Sequence, residues 1–224
     1  MSIDMKAYIR QEWYRRAVAE YSSAAITAQV VHAMILCTLP EHIVLMGLRI
    51  VGDELAHARL SQDVLQSIGG SMDEIPTQHL NTRAGYDGWN TLLDNILCSF
   101  CIGETLAVPL FEAMRKNASQ PKVVSMLTRV LQDEAVHRAF AWTTLDALLE
   151  KDRLSVEKRI AQKIPGWLRQ YKQAYSGGIT VDDEARAFGL IDGEAYRNIV
   201  HRGIHESIIP RFFRRGIKLD SVIE

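Results

Sequence analysis

Apolar residues recur every three to four positions in four long stretches of this chain, the spacing of one helical face. The first stripe runs Trp13, Ala17, Glu20, Ala24, Thr27, Val31, Met34, and the second Ile43, Gly47, Ile50, Glu54, His57, Ser61, Val64, Ile68. The third is Leu93, Leu97, Phe100, Glu104, Ala107, Phe111, Met114; the fourth is Val123, Leu127, Val130, Glu134, His137, Ala141, Thr144, Leu148. They predict helices over about 5–37, 41–68, 89–116 and 121–150, with Asp4 as the first N-cap and Gly69-Gly70 ending the second. Residues 71–88 hold Gly, Pro, Asn and Asp without a period. A linker of that length can cross the full height of a bundle at up to about 3.3 Å per residue, so the second and third helices should run parallel. A fifth helix is expected at 155–175, started by Ser155, interrupted at Pro165-Gly166 and ended by Gly177-Gly178. A short helix from Glu184 to Phe188 and a last one over 194–215, bent near Pro210, complete the pattern. The expected fold class is all-α: a four-helix bundle over 1–150, with the C-terminal helices of 151–224 packed on it in the same domain.

Each stripe is apolar or small except near its middle, where acids and histidines fall. The interruptions form one pattern, used twice. Glu20 is followed by Asp53-Glu54-x-x-His57, and Glu104 by Asp133-Glu134-x-x-His137. A Glu and a His three residues apart share a helical face. Two such faces and two lone glutamates give four carboxylates and two imidazoles, the ligand set of a carboxylate-bridged dinuclear metal site in a four-helix bundle. Burying six ionisable groups without partners would cost many kcal/mol, and divalent cations supply the missing charge. Heights agree, since each lone Glu lies across a helix turn from its Glu-x-x-His partner. Glu20 sits some six residues further from Pro40 than Glu54 does, so a longer loop or a helix distortion must absorb the difference.

Composition narrows the function class. The net charge of 224 residues is −1, and charges of both signs are spread along the chain, which gives no footprint for nucleic acid or a membrane surface. The N-terminus has no apolar signal-like core and no 18-residue apolar run is evident, so a soluble cytoplasmic protein is expected. Three cysteines are too few for a disulfide framework, and Cys98-x-x-Cys101 falls inside a helical pattern with no second pair to complete a zinc site. Both read as core thiols.

Small residues beside the ligands, Ala24, Thr27, Ala107 and Ala141, would leave space for a substrate, with Phe100, Cys101 and Phe111 along one side. Close helix packing without a cavity is the other reading. Pro109, five residues after Glu104, should kink or bulge the third helix. His32, His42 and His79 lie off the ligand face or height. His201 and His205 form an i, i+4 pair that reads as a surface or packing pair, and Arg211, Arg214 and Arg215 as a solvated basic helix end.

The doubled Glu…Asp-Glu-x-x-His pattern resembles the ferritin-like non-haem diiron oxidases and oxygenases over about 150 of the 224 residues. The resemblance implies that Glu20, Glu54, His57, Glu104, Glu134 and His137 hold two irons, with manganese or a mixed manganese–iron pair satisfying the same ligands. It implies also that Asp53 orients His137 and Asp133 orients His57; solvent, Arg59 or Arg138 are the alternative partners of these aspartates. Two Glu-x-x-His motifs speak against a storage ferritin, whose centre has a single His. Rubrerythrins add a rubredoxin module and an extra Glu where this chain has Ala107, and arylamine N-oxygenases add a His where it has Val130. Aldehyde-deformylating oxygenases are closest in layout. The implied function is activation of O2 to oxidise a small organic substrate by N- or C-oxygenation, desaturation or deformylation, plausible in a biosynthetic pathway. Reducing equivalents must come from an external ferredoxin- or reductase-type donor, because no G-x-G-x-x-G fingerprint is present. A homodimer is compatible with this reading. The alternative is a rubrerythrin-like peroxide- or iron-handling protein without an organic substrate.

Overall fold

The computed structural model describes residues 4–72, 88–174 and 179–219, and the secondary structure of these residues is helical throughout. Helix α1 spans Met5–Leu36, with the Asp4 carboxylate accepting from the Ala7 N–H at 3.2 Å. Helix α2 spans Glu41–Ser67. Helix α3 covers Gly88–Asn117 and changes winding on the way: α-helical over Gly88–Asn95, a π-helix over Ile96–Glu104, then α-helical over Thr105–Asn117. Helix α4 runs Pro121–Ala174. Short α5 (Asp183–Ala187) precedes α6 (Gly193–Arg202), which passes through a π segment (Gly203–Ile208) into α7 (Ile209–Phe213).

The apolar stripes are the buried faces. Every member of the first and fourth is buried; the exceptions elsewhere are Ile68, Glu104 and Ala107, which are half-buried. At Gly47 helices α1 and α2 pack closely: a Cβ there would stand 2.8 Å from Val31 Cγ2. Two apolar cores form. Met34 near the end of α1 clusters with Leu92 and Leu93 at the start of α3 and with Leu145 and Leu148 of α4. Ile9 and Trp13 near the start of α1 cluster with Phe111 and Met114 near the end of α3 and with Val123 and Met126 of α4. Helices α1 and α3 are therefore antiparallel. Since α2 starts where α1 ends, α2 and α3 run parallel. The connection expected to span the bundle at 71–88 lies, from 73 to 87, outside the described residues, as do His79 and Gly177-Gly178.

Several expectations are corrected. Glu20 lies 16 residues before Leu36, and Glu54 lies 13 after Glu41, because α1 ends ahead of the Cys37–Pro40 turn. The mismatch in height is thus three residues, and α1 stays undistorted. The expected fourth and fifth helices are both present as the two portions of α4, separated by a kink at Asp152 (φ −155°, ψ 79°). Asp152 rather than Ser155 caps the portion of α4 beyond the break, its carboxylate accepting from the Ser155 N–H at 3.0 Å. Pro165 does not interrupt the helix. The carbonyl it leaves unbonded belongs to exposed Ala161, where water can reach it, while Ile160, Ile164 and Leu168 keep a continuous buried stripe. The distortion of α3 lies on the N-terminal side of Pro109 and ends at Glu104. Finally, α3 does contain an 18-residue window of mean hydropathy 1.6, making it long and apolar enough to cross a membrane by length and composition. Its Leu92, Leu93, Ile96, Leu97 and Phe100 are instead fully buried among the other helices.

The C-terminal helices pack on this frame. Val156, Ile160, Ile164, Ile204 and Phe212 join the first core, the Trp89 indole donates to Ser155 Oγ at 2.8 Å, and Arg159 forks onto Asp94.

Candidate metal centre

A polar layer lies between the two apolar cores. Glu20 comes from α1, Asp53, Glu54 and His57 from α2, Glu104 from the end of the π segment of α3, and Asp133, Glu134 and His137 from α4. Potential ligand atoms of Glu20, Glu54 and His57 fall within 4.8 Å of one another, and so do those of Glu54, Glu104 and His137. Glu54 belongs to both groups. Glu134 joins through its neighbours: His137 Nδ1 is 3.9 Å from its Oε1, and it is hydrogen-bonded to Glu104. The structure thus brings all six sequence-selected carboxylates and imidazoles into one cluster.

Each imidazole has an inner and an outer nitrogen. His57 Nδ1 faces Glu20 and Glu54 at 3.9 Å each, and His137 Nδ1 faces Glu54 at 3.3 Å. Neither inner nitrogen has a hydrogen-bond partner, nor have Glu54 Oε2 and Glu134 Oε2. On the outer side, His57 Nε2 contacts Asp133 Oδ2 at 3.1 Å and His137 Nε2 faces Asp53 Oδ2 at 3.6 Å. Each aspartate faces the histidine of the opposite motif, but only Asp133 hydrogen-bonds it; His137 Nε2 and Asp53 Oδ2 have no hydrogen-bond partner. An Nε2–H held by a carboxylate leaves Nδ1 as a lone-pair donor pointing inward.

Arg129 completes this outer layer. Its Nε–H donates to Asp133 at 2.6 Å and its Nη2 lies 3.5 Å from Asp53 Oδ1. Arg49 stands 3.5 Å from Asp53. These, not Arg59 or Arg138, are the cationic partners of the two aspartates. A signal for them exists in the sequence: both precede their aspartate by four residues, one helical turn, so the full repeat is Arg-x-x-x-Asp-Glu-x-x-His.

Burial sets the electrostatics. Desolvation, then repulsion from Glu104 and Glu20, holds the Glu54 carboxyl well above its usual range; the same causes, with Glu54 added, act on Glu134. Desolvation pushes Glu104 up to about 7, against a hydrogen bond from Glu134 that favours its charged form. Desolvation, then His57, pulls His137 down to about 4. Asp133, despite its own desolvation, is kept below its usual range by Arg129 and His57. A cluster that resists negative charge inside and secures it outside fits divalent cations at its centre: four carboxylate groups and two inward imidazole nitrogens are the hard, borderline donors iron or manganese takes.

A cavity of about 670 Å³ reaches the cluster from the side of α1 and α3. Glu20, Glu54, Glu104 and Glu134 line its inner end, and Glu12, Arg15 and Arg16 its outer part. Tyr171 of α4 and Ile179, Ile191, Tyr196 and Val200 of the C-terminal segment form the facing wall. Arg16 stacks 4.9 Å over the Phe111 ring and lies 3.7 Å from Glu20. Of the residues expected to line a pocket, Ala107 and Phe111 do. Ala24, Thr27, Phe100, Cys101 and Ala141 do not: they are buried in helix contacts, with Phe100 edge-on to Phe140 and the Cys101 thiol against the Ala141 carbonyl at 3.6 Å. Small residues on the seam predicted space there, whereas the opening lies beside it, on the face of α1 that carries Arg16 and Ser23.

The remaining candidates lie elsewhere. His32 and His42 are exposed. The His201 and His205 rings stack at 4.3 Å, with His201 exposed. Burial pushes the Cys98 thiol up to about 11 and raises that of Cys101 as well, which leaves both protonated. Arg215 is not free in solvent: it forks onto Asp146 and stacks 4.9 Å over Trp142. No protein-family model matches the chain, and no curated protein matches it in sequence.

Proposed function

We propose that the chain is a ferritin-like dinuclear metal protein, a diiron oxidase or oxygenase in which O2 and a small organic substrate meet at the inner end of the cavity. The reading rests chiefly on one observation. Four carboxylates and two imidazoles are gathered in the interior, and His57 Nδ1, His137 Nδ1, Glu54 Oε2 and Glu134 Oε2 have no hydrogen-bond partner. Unpaired buried groups of this kind are costly unless a cation takes them. Glu20, Glu54 and His57 would hold one metal, Glu54, Glu104 and His137 the other, with Glu134 beside the second. When bound, the two metals supply the electrons and Lewis acidity for O2 reduction.

The chain's own residues do the rest. Asp133 fixes the tautomer and ring of His57 through its hydrogen bond, and Asp53 faces His137 Nε2 at 3.6 Å. Arg129 keeps Asp133 ionised and lies beside Asp53. The apolar layers above and below exclude bulk water. The cavity offers a mostly apolar facing wall with Arg16 as a cationic group near the carboxylates, which suits a small amphipathic substrate. Reductant must be delivered from outside, since the chain carries no nucleotide-cofactor fingerprint.

The test is anaerobic reconstitution with Fe(II) or Mn(II), metal counting, then O2 exposure with candidate substrates. The expected result is about two metals per chain and O2 consumption coupled to substrate oxidation. Saturation at one metal per chain would sink the dinuclear reading. Fast peroxide turnover with no oxidised organic product would replace the oxygenase by a peroxide-handling protein.

A further inference from the structure

Helix α2 has two faces, and only one belongs to the site. The other presents Glu41, Leu45, Leu48, Gly52, Leu55 and Arg59, all exposed, at alternating steps of four and three residues. These residues form one stripe along the helix, the arrangement a seam between two helices requires. Leu45, Leu48 and Leu55 are 56%, 52% and 42% exposed, and a Cβ added at Gly52 would meet nothing within 4 Å. A leucine row flanked by charges is unusual for a face left to water.

The row is complementary to itself when reversed. Laid antiparallel about a dyad at Ile50, Leu45 meets the second copy's Leu55, Leu48 sits over its Gly52, and Glu41 meets its Arg59. Apolar falls on apolar, the largest gap receives a leucine, and opposite charges face each other at both ends. Among the described residues neither Glu41 nor Arg59 has an ion pair within its own chain. A twofold dimer requires this self-complementarity, because each half of the patch must fit the other half. We propose that this face docks a second copy of the chain, α2 against α2, in that register. The inference does not depend on the metal reading. If both hold, the helix carrying Asp53, Glu54 and His57 is braced from its outer side.

Sedimentation equilibrium of the full chain, with and without added metal, tests this. The wild type should be a dimer at about 10 µM. Leu48→Glu should make it a monomer with unchanged helicity, because the side chain is not part of the folded core. The register is tested separately. Glu41→Arg alone and Arg59→Glu alone each set like charges opposite one another at both ends and should weaken the dimer by roughly tenfold. The double variant should recover wild-type association to within about threefold. A monomeric wild type, a dimer indifferent to Leu48→Glu, or a double variant no tighter than the singles would each overturn the proposal.

Discussion

The two halves of the buried cluster share a sequence pattern but are not held alike. On one side, His57 lies 3.1 Å from Asp133, and Arg129 donates to that aspartate at 2.6 Å. On the other, His137 lies 3.6 Å from Asp53, whose cations Arg49 and Arg129 both stand off at 3.5 Å. The backbones differ as well. Glu20 rides on an unbroken α-helix, whereas Glu104 ends a nine-residue π segment. A π turn rotates the following side chains relative to an α-helix, so the same motif reaches the centre by two backbone routes. Repetition in sequence therefore fixes which groups converge, while local winding and the outer ion pairs decide how firmly each is held.

The sharpest way to break this comparison is at the residue both halves share. Glu54→Ala should lower affinity for both metals by more than about 100-fold, beyond the 10–100-fold typical of outer partners. Calorimetric metal titration would show it, and one site surviving at full affinity would mean that the halves are independent.

The next test uses pH on the metal-free protein. Glu104, raised to about 7 from 4.5, holds a proton that the unfolded chain has lost, so stability falls as pH rises between those values. His137, lowered to about 4 from 6.5, has the opposite sign, and its gain is complete by about pH 6.5. Glu54 and Glu134, also raised, add to the fall. Thermal melts should therefore show metal-free stability dropping from about pH 6.5 upward, with bound metal cancelling the drop. Glu104→Gln should shrink that drop by about 1 kcal/mol. A drop unchanged in Glu104→Gln would show that the carboxyl at the end of the π segment does not hold the extra proton.

A smaller contrast is expected in the outer layer. Asp133→Ala and Asp53→Ala should each weaken metal binding by roughly 10–100-fold, with Asp133 at the upper end because its contact is shorter. A larger loss at Asp53, measured by competitive chelation, would reverse the ranking. The smallest effect concerns the cations: Arg129→Ala should cost a few-fold and Arg49→Ala almost nothing, as befits a half-exposed clamp against a single long ion pair. Parity between them would show that Arg129 does not link the halves.

The stripes made the long helices and the converging ligands legible, because a period near 3.6 determines which side chains face inward. Charge pairs one turn apart, Arg49–Asp53 and Arg129–Asp133, were equally readable but lay outside the apolar pattern. Other features were not local in origin. The site of the π segment depends on how α3 fits its neighbours, and Pro109 alone does not locate it. Pro165 looked like a breaker because the solvation of the Ala161 carbonyl is a tertiary fact. The cavity was legible only at Ala107 and Phe111: space depends on the relative placement of α1, α3 and the C-terminal segment, and the small seam residues Ala24, Thr27 and Ala141 are packed against other helices.

The cavity joins two stretches of chain that answer to different demands. Its inner end is built from residues up to Glu134, and its facing wall from Tyr171, Ile179, Ile191, Tyr196 and Val200. Changes in the later stretch can reshape what is admitted while leaving every carboxylate and imidazole in place. On the proposed reading, descendants of this chain could change what the cavity admits by drift in their C-terminal segment, with the buried carboxylates and imidazoles kept.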